Sequence, residues 1–354
     1  MATNTVGVSG NILDVLKFKM PDGSAVDQPI NAMVELNDFQ MDMPALPANG
    51  GMTHQGLRTI QLPTGYLTDV GGSWKSSKAE FEMFIDGLMT LRSTYRAPID
   101  TYEVESAEIG QAQLEANLDG HIHALTQGLM NMMLEGSSVP NQSGLIGLMQ
   151  RDPYTTHDSS FTFSVGGSGS NLRSAWLMKP GIDTVHTVYN PNHPTLGIEQ
   201  KDMGVHPVTG LGTSSDEHRW DMWIEHKIVS GIVIKDQTAV KRICNIPVGL
   251  ADYPGEDVIN LAIEASIINA TKQPGKSQGL GTASQILNTW MLYCDERLYA
   301  KIVRASNDKL MVYMSDQNIY RTSLPMIGTN IIIRRMDALN HALGSGETEI
   351  AAAS

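Results

Sequence analysis

The chain is short of cysteine, of positive charge and of long apolar runs, and each shortage removes a class of protein. Its 354 residues include two cysteines, Cys244 and Cys294. Two are too few for a disulfide framework or a zinc quartet, so a reducing compartment is expected. Lys and Arg number 25 against 38 Asp and Glu, a net charge of −13. Tight nucleic-acid binding runs on Lys and Arg neutralising phosphates, so an acidic chain fits it poorly. No apolar run reaches the roughly 18 residues a membrane-spanning helix needs, and no membrane partner is expected. The opening residues, MATNTVGVSGN, hold no basic stretch followed by an apolar run, so no signal peptide is expected.

What is present suits a globular protein. Hydrophobic residues make up 41% and charged residues 18%, enough apolar material for a large core divided over about two to three domains. The twenty methionines lie within apolar runs and read as core filling.

The longest ordered signal lies between Ser106 and Gly136. Leu114, Leu118, Ile122, Leu125, Leu129 and Met132 recur at steps of three and four, one apolar stripe on a helix. Glu103, Glu105 and Glu108 suit the positive end of its dipole. Ser106 suits the N-cap, and Gly136 the residue after the last turn, with Pro140 beyond. Such a helix is roughly 45 Å long at 1.5 Å per residue, and its flanks are strand-like, so it has no partner helices of similar length.

Residues 1–50 read as an extended arm with a short helix at 12–18, a turn at Pro21-Asp22-Gly23 and proline breaks at Pro44 and Pro47. Residues 53–96 read as a long β-hairpin, with Phe81, Met83 and Ile85 on one face of its second limb. Strands are expected at 161–165, 174–178, 220–246 (two adjoining), 289–294, 310–314, 318–321 and 330–335, and helices at 256–270 and 297–305. Residues 182–217 read as an excursion or loop, and the tail GSGETEIAAAS as frayed.

Patterns that carry chemistry are nearly absent from the sequence. Ala270 to Ser277 approaches a phosphate-binding loop, but Ala270 replaces the first glycine and the segment follows a helix, not a strand. Lys276 and Ser277 therefore read as a surface turn, and a nucleotide-binding enzyme as the outside alternative. Gly166-Gly167-Ser168-Gly169-Ser170 leads into a strand, so no helix N-terminus is there to hold a phosphate. His121 and His123 point in different directions on a helix, and His186, His193 and His206 match no ligand spacing. There is no G-x-S-x-G elbow. The expectation is a protein that is not an enzyme, with no catalytic residue, cofactor or metal.

The ordered blocks carry a resemblance. Ala48-Asn49-Gly50-Gly51 with Thr53-His54, Leu57-Arg58-Thr59 and Leu62-Pro63-Thr64, then Val70-Gly71 with Ser76-Ser77-Lys78, resemble the extended loop of tailed-bacteriophage major capsid proteins, in particular the short-tailed, epsilon-fifteen-like group. Ser143-Gly144-Leu145 with Arg151, GGSGSNLRSAWL at 166–177, Ser230–Asp236 followed by Arg242–Ile246, and Ile332–Leu339 are similar to later stretches of that family. The likeness covers most of 48–340 and lapses within 182–217 and 271–288.

The resemblance implies an α+β chain of the Hong Kong 97-type phage capsid fold. In that fold 1–50 is the N-terminal arm and 51–98 the extended β-hairpin loop. Residues 99–255 and 326–345 form the peripheral domain with spine helix 106–136, and 256–325 the axial domain. It implies self-assembly, as hexamers and pentamers, into an icosahedral shell that encloses double-stranded DNA without sequence-specific binding. Portal, scaffolding and decoration proteins are the further partners implied. The location implied is the virion, after assembly in the host cytoplasm. An encapsulin-like compartment shell is the alternative within the same fold. Tyr66, Leu67, Val70, Trp74 and Lys75, at the tip of the extended loop, are the expected inter-subunit contacts.

Overall fold

The computed structural model describes residues 37–100, 107–136, 146–157, 160–192, 198–209, 218–247, 255–271, 289–308, 326–327, 331–339 and 347–352. The expected helix at 12–18, the strands at 310–314 and 318–321, the Lys276–Ser277 turn and the Ser106 cap lie outside them.

In chain order the elements are α1 (Phe39–Asp42), β1 (Ala45–Pro47), β2 (Thr53–Gln61), β3 (Glu80–Gly87), β4 (Met89–Pro98), α2 (Ala107–Glu135), β5 (Thr162–Ser164), β6 (Leu172–Met178), β7 (Val185–Tyr189), β8 (Ile198–Thr209), β9 (His218–Ile234), β10 (Val240–Pro247), α3 (Gly255–Ile267), β11 (Trp290–Cys294), α4 (Glu296–Asp308), β12 (Met326–Ile327) and β13 (Ile331–Arg335). The chain forms two compact units, and α2 and β9 each run from one into the other. One unit holds Met1–Val34, Met89–Leu129 and Pro191–Val229; the other holds the rest.

In the first unit, β9 lies between β4 and β8. The β8–β9 ladder is antiparallel from Ile198↔Ile228 to Thr209↔His218, with an irregularity at Asp202/Gly204. Residues 182–217, expected to be loop, therefore contain two strands, β7 and β8. The reason lies in composition: β8 is mostly exposed and polar, with Gly204 and Pro207 in it, and shows none of the apolar alternation that marks a half-buried strand. Tyr95 and Ala97 of β4 and Ile224 of β9 form a small core against which Leu114 and Leu118 of α2 pack. Asp221, fully buried, receives hydrogen bonds from Arg96 at 2.5 Å and Arg219 at 2.7 Å. Burial by itself would raise its carboxyl, but the two guanidiniums outweigh that and hold it below the ordinary value of 3.8.

Helix α2 has 29 residues, close to the expected length, and Gly136 ends it at φ 82° with its N–H on the Met132 carbonyl at 2.8 Å. The expected stripe holds only in part. Leu125 and Leu129 are buried and Leu114 and Leu118 half-buried, but Ile122 is 37% exposed. Ile122 stands about 40° further round the helix than Leu118, turned away from the Tyr95–Ile224 cluster, while Leu125 returns to the direction between Leu114 and Leu118. In the last turns burial broadens to Met130, Met133 and Leu134.

The second unit is built on a mixed six-stranded sheet in the order β12-β13-β11-β6-β10-β5. Strands β6, β10 and β11 are interior to the sheet and are buried along almost their whole length. Helices α3 and α4 contribute Val258, Ala262, Ala265, Leu298 and Ile302 to one core with Leu177, Ile243, Leu292 and Ile333 of the sheet. The described part of 256–325 thus shares a single core with 162–178, 240–247 and 331–335. A smaller set of strands pairs β1 parallel to β7, and β7 antiparallel to Ser230–Ile234 of β9.

The tail expected to be frayed is held. Glu347 bridges Leu172 through backbone hydrogen bonds of 2.7 and 3.1 Å, and its carboxylate accepts from Arg242 and Ser174, both at 2.6 Å. Asn245, at φ 56°, clasps Ile350 with both ends of its amide, at 2.9 and 3.1 Å. Composition gives no hint of this, since the small and polar residues of the tail bind through backbone and carboxylate groups that find partners only in the folded state.

Candidate functional site

The hairpin β2–β3 is a two-stranded sheet by itself, with pairs from Thr53↔Gly87 to Gln61↔Glu80. It is shorter than the expected limb to residue 96. The strand breaks at Leu88, and Met89–Pro98 becomes β4, a neighbour of β9.

Residues directly opposite in an antiparallel pair point to the same face. The register therefore sorts the ribbon into two sides. One side carries Leu57, Phe81, Met83 and Ile85, all large, apolar and more than half exposed. The other carries His54, Gly56, Arg58, Glu82, Phe84 and Asp86. Arg58 and Glu82 pair at 2.7 Å, and Phe84 is buried against Gly56, where a Cβ atom would stand 2.4 Å from the ring.

Beyond the strands, the tip lies open. Leu67 and Val70 are fully exposed, Trp74 is 76% exposed, and Tyr66 and Lys75 also face solvent. The tip is shaped by a turn from Gly72 N–H to Asp69 O at 2.9 Å and by the Ser77 hydroxyl on Thr64 O at 2.8 Å. All five residues nominated from the sequence thus share one exposed segment of the isolated chain. The apolar ribbon face below the tip extends that surface. Alternation marked its β3 half; Leu57 needed the pairing register.

Arg151 anchors the root of the hairpin. Its guanidinium donates to Asp86 at 2.8 Å, to Ile146 O at 2.9 Å and to Ile232 O at 3.0 Å. Asp86 also accepts from the Ile234 N–H at 3.4 Å. Burial raises the Asp86 carboxyl above its ordinary value, and Arg151 pulls it back. His54, opposite Asp86, meets His186 of β7 edge to face with ring centroids 5.7 Å apart. Beside the root an open groove of about 940 Å³ is lined by His54, Arg58, Phe84, Phe161, Asp183 and Lys235.

The remaining chemical leads disperse. Among the described residues no three His, Cys, Asp or Glu side chains stand close enough to hold a metal. His121 stacks on His226 and hydrogen-bonds Ser93, while His123 pairs with Asp119 at 3.3 Å. His186 is buried in β7, His206 sits in β8 beside Trp223, and His193 lies outside the described residues. Burial pushes the Cys244 thiol up to about 11 and Cys294 upward as well, the reverse of what a nucleophile needs. Among the described residues no helix is long and apolar enough to cross a membrane.

Solved structures resemble this architecture. A chain of the bacteriophage Epsilon15 cryo-EM structure matches with a TM-score of 0.66 at 17% identity, over 98% of this chain and 100% of that one. The bacteriophage JBD30 capsid gives 0.47 at 10% identity, over 88% and 93%. The encapsulin complex of Synechococcus elongatus gives 0.42 at 8%, over 64% and 93%. No curated protein sequence matches the chain. The fold is the α+β, Hong Kong 97-type fold of tailed-phage major capsid proteins, which build shells from copies of themselves. The chain belongs to the family of the major capsid protein GP7, whose model matches residues 21–343.

Proposed function

We propose that copies of this chain close into an icosahedral shell of hexamers and pentamers around phage double-stranded DNA, with the hairpin of each copy lying across a neighbour. The observation that carries the second half is the bare apolar face of Leu57, Phe81, Met83 and Ile85, continued by Tyr66, Leu67, Val70 and Trp74 at the tip. A soluble monomer rarely exposes so large a contiguous apolar surface, and two-stranded ribbons are marginal alone. A neighbouring copy supplies both cover and support. Lys75, beside Trp74, offers a cation at the rim of the contact.

The net charge of −13 suits a container that encloses DNA without gripping its phosphates. In this reading 1–50 is the arm, α2 the spine of the peripheral domain and 256–325 the axial segment, and the chain works as a structural protein without catalysis. Portal, scaffolding and decoration proteins are the further partners, and host cytoplasm the place of assembly.

The test is to replace residues 64–77 with a short Gly-Ser turn and compare assembly by sedimentation and electron microscopy. The expected result is a folded subunit, checked by circular dichroism, that does not form stable shells. Normal shells from the variant would make the hairpin an element internal to one subunit. Nuclease-resistant DNA within wild-type shells made during infection separates a genome container from a compartment that carries protein cargo.

A further inference from the structure

Within the second unit, the root of the hairpin meets strand β7 through a cluster of ionisable groups that the shell reading does not use. His186 is fully buried and neither ring nitrogen has a side-chain hydrogen-bond partner. The groups facing it come from every side. His54 of β2 lies edge to face at 5.7 Å. Lys235, just past β9, pairs loosely with Asp183 at 3.8 Å. Asp86 of β3 stands opposite His54 and is occupied by Arg151 and the Ile234 N–H. A backbone hydrogen bond from the His186 ring to Gly181 is a small contribution that favours the charged ring. His54 also lines the open groove, so protons reach the cluster from solvent.

We propose that the root of the β2–β3 hairpin is a proton-operated latch, in which charging His54 and His186 drives the hairpin off strand β7. Two imidazoliums and the Lys235 ammonium would then share one site, with the Asp86 carboxylate already committed to Arg151. The relief is for β2 to move out, which takes His54 into water and opens His186 to it.

The direction of the effect is fixed by the shifts at this site. Burial, Lys235 and His54 push the His186 ring down to about 4 from an ordinary 6.5. Burial and Lys235 also lower His54, with Asp86 opposing. A base depressed in the seated state keeps the latch shut above 6.5 and gives up that stability as pH falls toward its seated value. Asp86 works the other way: its carboxyl is raised when seated, so acid favours its seated form. Between pH 7.5 and roughly 5 the histidines drive opening, and Asp86 opposes them wherever the pH lies between 3.8 and its raised seated value. A shift of His186 from about 4 to 6.5 on release predicts, between those pH values, about a thirtyfold rise in hairpin opening.

The test is hydrogen exchange of the full-length protein at pH 7.5 and 5.0, corrected for the intrinsic pH dependence of exchange and read by peptide. Amides of β2 and β3 should open at least about tenfold more at pH 5.0, while those of β6, β10 and β11 stay unchanged. His186→Phe with His54→Gln should abolish the difference. A wild-type hairpin indifferent to pH, or a double variant with the wild-type response, overturns the proposal. If the Phe variant does not fold, His54→Gln alone and an NMR titration of the His186 ring decide: a ring that titrates near 6.5 with the hairpin seated overturns it. The readout is opening within one chain, so a failure of the latch and a failure of the inter-subunit reading are separate results.

Discussion

Glu347, in the last described segment of the chain, lies 2.6 Å from the guanidinium of Arg242. Arg242 is itself buried, donates also to Ser174 at 3.0 Å and to Tyr154 O at 2.9 Å, and lies over the ring of Trp176. The tail is therefore the counter-charge of a cation inside the second unit. Deleting residues 347–354 leaves that cation without its carboxylate, and breaking a buried pair from one side costs about 3–5 kcal/mol. Chemical denaturation should show that loss for the truncated chain, and a smaller one for Glu347→Gln. A truncated chain as stable as the parent would show the tail to be dispensable.

The spine helix allows a comparison within one element. Leu125→Ala should cost on the order of 2–5 kcal/mol, because it empties a buried site. Ile122→Ala, on the exposed flank, should change the stability of the unassembled chain by less than about 1 kcal/mol. Equal losses for the two would return Ile122 to the core stripe.

Asp221 should make the stability of the first unit acid-sensitive. Its carboxyl sits below 3.8 in the fold, through Arg219 and Arg96 working against burial. A depressed acid contributes stability above its unfolded value and loses it as pH falls through the folded one. Asp221→Asn should therefore be less stable than wild type at pH 7, and the gap should narrow as pH falls below 3.8. A gap that stays constant down to pH 2 would mean that the carboxylate charge is not what matters.

Met83→Lys places a charge on the bare hairpin face, where the isolated chain has nothing to disrupt. Circular dichroism and thermal melting of the subunit should be unchanged, while shell yield in sedimentation should fall at least about tenfold, the equivalent of about 1.4 kcal/mol across the assembly equilibrium. Shells formed at wild-type yield would free that face from any role in assembly.

Much of the element order was legible along the chain, because it depends on local pattern. Steps of three and four marked α2, alternation marked β3, and an unbroken apolar run marked β11. Glycine at 136 marked the end of the spine, since φ 82° suits no other residue as well. The absence of a catalytic or metal-binding pattern, and a charge of −13, pointed away from enzymes and nucleic-acid readers. Tertiary structure decided what periodicity does not encode. It set which flank of α2 is covered, because a helix facing so few strands buries only part of a stripe. It set the end of the hairpin at Gly87, because Met89–Pro98 finds β9 instead. It made β8 a strand through pairing alone, seated the tail through one buried arginine, and brought His54 to His186 across more than a hundred residues of chain. Each of these rests on long-range partners, and a partner distant in sequence leaves no local trace in the residues that meet it.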